Sequence, residues 1–223
     1  MPTSQGPATA AKAALILAGL VLATGLPGAT AQDRQRFAPI PLEKLDPQQK
    51  AWAEEIAVAP RNAKHTNPPY RAYIRSPELA KRLSSLSDYL RWKTSLPPRL
   101  SEMAILITAR EWTAQYEWFA HYPLALKGGL APEVADAIAA GKRPAAMKPD
   151  ETALYDLATE LYRDKAVSDA TYAAALAQFG EAGIMDIIAI IGYYDLVSMT
   201  LITMQAVPPN DSVKPLAPLP RKP

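Results

Sequence analysis

The 223-residue chain contains no cysteine. Without a thiolate there is no nucleophile that can also store reducing equivalents as a disulfide, so thiol peroxidase chemistry is excluded. Histidine is nearly as scarce, with His65 and His121 alone, and no His-x-x-x-His or cysteine set offers the usual ligand spacing for a metal; none is expected. The chain also lacks a glycine-rich phosphate loop and a G-x-S-x-G elbow, and no cofactor is expected. Nor is there an excess of one charge: 24 basic residues face 22 acidic ones, giving a formal net charge of +2. This balance supplies no electrostatic reason to bind nucleic acid or an anionic membrane. Period-two alternation of apolar and polar residues is missing too, which predicts an all-α fold.

What is present begins with an unusual first stretch. Met1 to Ala31 carries one charge, Lys12, then the apolar block from Ala13 to Ala23 and the small-residue site Ala29-Thr30-Ala31. A short apolar block followed by an A-x-A site predicts a secretory signal peptide cleaved before Gln32, and hence a periplasmic or secreted protein; an uncleaved anchor is the alternative. Residues 32–223 then form the mature chain, long enough for one domain with a sizeable core. Exported without disulfides, it must draw stability from helix packing and oligomerisation.

Along the mature chain, residues 32–75 read as an extended arm and a first helix opened by Asp46-Pro47, an N-cap aspartate before a first-turn proline. Residues 60–70 read as a loop. Residues 76–207 carry the domain. Ser76-Pro77-Glu78 repeats the capping logic, and Leu79, Leu83, Leu86 and Leu90 form one apolar stripe, predicting a helix over 76–93. Ser101 to Arg110 is apolar nearly all round, as in a helix buried between others or at a subunit boundary. Helices are predicted over 115–128, with Pro123 expected to kink the chain near His121, over 132–140 and 148–163, from the Ser168 cap to Phe179, and over 183–207. The last carries Asp186 and Asp195, costly in hydrocarbon, so it reads as a core helix rather than a membrane span. Residues 208–223, with six prolines, read as a flexible or extended tail.

Glu117 and His121 are the most informative residues, because a spacing of four puts both on one face of a helix. A carboxylate and an imidazole sharing one cleft can move a proton between them and a substrate. The run Gln115 to Leu130, together with Ser76-Pro77-Glu78-Leu79-Ala80, Leu96 to Glu102 and Gly192-Tyr193-Tyr194, resembles the carboxymuconolactone decarboxylase family and its sister alkylhydroperoxidase D-like branch. The sister branch uses Glu, then Cys-x-x-Cys, then His; here those places fall on Glu102, Ala114, Glu117 and His121, with carboxylates kept and thiols missing. The resemblance implies an alkylhydroperoxidase D-like helical bundle, a homo-oligomer built as a trimer or hexamer, and a decarboxylating lyase or proton-transfer reaction on a small carboxylated or carbonyl or lactone compound. It makes His121, Glu117 and Glu102 the candidate catalytic residues. Trp118 and Tyr122 are candidates for an aromatic substrate wall, and Arg99 or Arg110 for an anion site. Two alternatives stay open: a Glu and His four apart also form an ordinary helix-surface pair, and a non-catalytic helical binding module could keep this fold.

Overall fold

The computed structural model describes residues 35–219; the leader predicted over residues 1–31 lies outside them. The described residues form helices and no strands: α1 (Pro47–Ala57), α2 (Tyr70–Tyr73), α3 (Pro77–Trp92), α4 (Pro98–Trp112), α5 (Gln115–Lys127), α6 (Pro132–Ala139), α7 (Pro149–Asp164) and α8 (Asp169–Met204), after a 3-10 turn at Leu42–Lys44. The all-α expectation holds.

α4 is the axis of the bundle. Every residue from Leu100 to Arg110 is buried, so the helix that is apolar all round becomes the one enclosed by α5, α6, α7 and α8. Each fully buried Leu, Ile or Met side chain there contributes about 1.5–3 kcal/mol of transfer free energy. Thr113, in left-handed conformation at φ 51°, ends α4 and turns the chain back into α5. At the far end of this antiparallel pair, Gly128 lets α5 meet the start of α4. A Cβ there would sit 3.0 Å from the Arg99 backbone nitrogen. The α4–α5 hairpin is therefore tight at both ends, which fixes Glu102 of one helix against His121 of the other.

Several expectations are refined by packing. The Asp46 cap forms with its reciprocal Gln49 bond. Of the α3 stripe, Leu83 and Leu90 are buried, whereas Leu79 and Leu86 are 49% and 43% exposed. The face α3 buries runs through Ala80, Leu83, Ser84, Ser87 and Leu90, and its serines are used: Ser84 Oγ accepts from Trp52 Nε1 at 3.0 Å. α5 runs through Pro123 with no residue leaving helical geometry. α8 combines the two predicted helices across an interruption at Gly180 (φ 61°, ψ 177°), where no L side chain is comfortable. By length and composition α8 is apolar enough to cross a membrane, yet half of its most apolar window is buried in the bundle.

The tail is not free. Residues 208–219 lie along the bundle, with Val213 and Leu216 buried. The Gln115 side-chain amide donates to the Leu216 carbonyl at 2.8 Å and accepts from its backbone N–H at 2.9 Å, a two-point contact like a strand pair. Arg110 donates to the carbonyls of Ala217 (2.8 Å) and Ala139 (3.1 Å). His65, within the 60–70 loop, is half-buried, its Nε2 3.1 Å from the Ile40 carbonyl, where it ties the arm to that loop.

Candidate active site

Glu102 comes from the second turn of α4, and Glu117 and His121 from adjacent turns of α5; all three are buried. His121 Nδ1 donates to Glu102 Oε2 at 2.6 Å, a short charge-assisted bond. On the other side of the ring, Nε2 lies 3.0 Å from Glu117 Oε1. That contact is close enough for charge pairing but misaligned as a hydrogen bond, and Glu117 Oε1, on a residue 3% exposed, accepts no hydrogen bond from the described residues. The Tyr194 ring of α8 meets the imidazole edge to face at 5.1 Å and closes the site from behind.

Burial on its own would favour neutral imidazole. The flanking carboxylates of Glu102 and Glu117 outweigh that cost and push the His121 pKa up to about 9. At neutral pH the ring is therefore an imidazolium held between two carboxylates.

Glu117 and His121 line a cavity of about 180 Å³, with Glu102 behind the imidazole. Its walls include Tyr116, Tyr193, Tyr194 and Val197, and its roof is Pro68 and Pro69 with Tyr70, the first residue of α2. Arg61 fastens that roof. Its guanidinium donates to the Tyr70 hydroxyl at 3.3 Å and the Ser84 carbonyl at 3.0 Å, and pairs with Asp88. Arg91, in the last turn of α3, faces the same cavity with its closest carboxylate contact at 4.0 Å, to Glu102 Oε1.

Of the sequence candidates, Glu102, Glu117 and His121 converge, while Trp118, Tyr122 and Arg99 do not line this cavity. Trp118 points into the core and beside the docked tail, because the helix turns residue 118 roughly 100° away from 117. Tyr122 stacks on Trp118 at 5.6 Å and donates to Asp136 at 3.2 Å. Arg99 is consumed by α7, pairing with Asp150 at 2.6 Å and with Glu151. Arg110 is held by carbonyls. Tyr116, one of the aromatic residues crowding the Glu117–His121 run, does line the cavity; the residues that the sequence did not single out are Arg91, Tyr70 and Tyr193, and for Arg91 a signal existed, since Ser84, Ser87 and Arg91 continue the inward face of α3 with polar residues. Asp195 accepts from Trp112 Nε1 at 2.6 Å and the Tyr162 hydroxyl at 2.8 Å, away from the cavity. Among the described residues, no group of three or more Asp, Glu or His side chains is arranged to hold a metal.

The model of the carboxymuconolactone decarboxylase family matches residues 77–160. A crystal structure of an Agrobacterium tumefaciens protein of unknown function, described as a candidate antioxidant defence protein AhpD, shares the fold at 16% identity and a TM-score of 0.56, over 63% of this chain and 97% of that one. No curated protein is significantly similar to the chain. The matched segment contains Glu102, Glu117 and His121: over residues 77–160 the chain is similar to the carboxymuconolactone decarboxylase family, and it shares the all-helical fold of the Agrobacterium protein.

Proposed function

We propose that the chain is a cofactor-free lyase or proton-transfer enzyme acting on a small carboxylated or carbonyl- or lactone-containing molecule. The observation that carries this reading is the buried Glu117 carboxylate, which pairs with the His121 imidazolium at 3.0 Å without an aligned hydrogen bond, both side chains lining one partly open cavity. A buried carboxylate oxygen without a donor is costly, and at a functional site that cost is accepted because substrate supplies the missing proton. Glu117 takes a proton from the carbon next to a carbonyl; His121, locked by Glu102, supports the charge that develops and returns a proton. For a carboxylated substrate, carbon dioxide leaves while its bonding pair stays on the substrate as an enolate, and His121 protonates the carbon left behind.

The test has two readouts on one panel of lactones, keto acids and aromatic acids: deuterium uptake from heavy water next to the carbonyl, and carbon dioxide release. Turnover in the wild type that disappears in His121→Ala supports the reading; turnover that survives that change with the helix content intact overturns it.

The same proposal extends to assembly and address. Leu79, Leu86, Met185, Ile188, Met199 and Ile202 leave large apolar side chains exposed on α3 and α8, which favours a homo-oligomer. A light-scattering mass of one chain at micromolar concentration would contradict this. Export rests on the leader sequence, and intact mass of the exported protein beginning near Gln32 is its check.

A further inference from the structure

Arg91 has no part in the proton-transfer reading above, yet it faces the same cavity as Glu117. Its guanidinium makes no side-chain hydrogen bond among the described residues. Its salt-bridge contact, Glu102 Oε1, stands at 4.0 Å, beyond hydrogen-bonding distance. One cavity of about 180 Å³ thus presents two groups of opposite sign with hydrogen-bonding capacity left over: the Glu117 carboxylate, paired with His121, and the fork of N–H donors on Arg91, which lies over the Trp92 ring at 5.3 Å.

The charges at the site constrain what fits between them. Glu102 and Glu117 are offset by the His121 imidazolium and the Arg91 guanidinium, so the empty cavity is balanced. A carboxylate ligand would bury one uncompensated negative charge in a pocket walled by tyrosines and prolines, an expensive step. An uncharged carbonyl compound adds none. When Glu117 takes its proton, the carbon–hydrogen pair becomes a carbon–carbon double bond and the carbonyl pair moves onto oxygen. The negative charge passes from Glu117 to that oxygen, and the total at the site does not change.

We infer that Arg91 is the oxyanion-binding residue of this site, and that the site takes an uncharged, planar cyclic carbonyl compound and enolises it between Glu117 and Arg91. This rests on the proton-transfer reading and selects enolisation over decarboxylation within it. Flat rings suit the walls, where Tyr70, Tyr116, Tyr193 and Tyr194 offer aromatic edges and faces at close range. The reaction needs no oxidant or co-reactant, since the proton leaves carbon for the Glu117 carboxylate and returns from there or from His121.

4-Nitrophenol is the probe, because its ring is planar, its oxyanion mimics the enolate, and the phenolate absorbs apart from the phenol. The full chain is titrated with it, and absorbance reports both binding and ionisation. The expected result is binding as the phenolate, with Arg91→Met weakening it roughly tenfold to a hundredfold, the scale of one lost charge-assisted contact. Arg91→Lys, which keeps the cation, recovers part of that loss. Glu117→Gln, already uncharged, binds the phenolate at least as tightly and without the proton uptake seen in the wild type. Failure of the wild type to bind the probe, or binding of the neutral phenol, overturns the inference. If Glu117→Gln abolishes the proton uptake while Arg91→Met changes nothing, the inference falls and the Glu117–His121 reading stands; if neither substitution alters binding, both fall.

Discussion

Two buried carboxylates, Asp186 and Glu117, sit on α8 and α5 at similar depth and are treated in opposite ways. Asp186 is fully committed: Oδ1 accepts from the Tyr89 hydroxyl at 2.8 Å, and Oδ2 from the Ser95 backbone N–H at 3.0 Å and the Ser95 hydroxyl at 2.9 Å. Those bonds fasten the α3–α4 connection to α8. Glu117 has a cationic neighbour but leaves one oxygen without an aligned donor, and its side chain lines a cavity. The difference separates an acid used to hold the fold from an acid kept for chemistry, and neither burial nor residue type distinguishes them. Satisfaction of the lone pairs does.

The comparison is broken most severely by changing the groups at the cavity. Glu117→Gln and His121→Ala are each expected to lower turnover by about 10²–10⁴-fold, the usual worth of positioned acid–base help, while melting behaviour changes little. Steady-state rates with parallel circular dichroism check this. Asp186→Ala should do the reverse: it strands the Ser95 N–H and the Tyr89 hydroxyl, costing about 1–3 kcal/mol in a urea titration, with the rate per folded molecule kept. A third, smaller effect concerns neither acid. Gln115→Ala removes both bonds to Leu216, so it should cost about 1 kcal/mol and expose the tail to proteolysis near residue 216 while leaving turnover intact. Loss of activity in that variant would show that the tail and the cavity are coupled.

Much of this fold was legible in the chain. Proline and aspartate caps marked helix starts, and the all-round apolar run from Ser101 to Arg110 announced the central helix. The spacing of Glu117 and His121 announced the site. What stayed hidden depended on contacts distant in sequence. Nothing local says that Arg99 is spent on Asp150 and Glu151, or that Arg91 is left free of hydrogen bonds, because both lie near helix ends with similar surroundings in sequence. Trp118 was misjudged for a different reason: nearness in sequence to His121 was taken for nearness in space, although a helix turns residue 118 roughly 100° away from 117. The tail's docking was unreadable because its contacts are backbone carbonyls meeting Gln115 and Arg110, and composition carries no trace of them.

Protonation of His121 tests the central claim most directly, since the proposed chemistry needs an imidazolium braced by both carboxylates. Its raised pKa also makes it a stabilising group: that contribution is complete below the unfolded value near 6.5 and is lost as pH climbs through about 9. Nitrogen-15 NMR of the two histidines between pH 5 and 10, assigned with His65→Gln, follows the ring itself. The account predicts that His121 stays doubly protonated through neutral pH and titrates near 9, and that Glu117→Gln moves this titration downward. A His121 that titrates at or below about 6.5, or one that Glu117→Gln leaves unmoved, would contradict it.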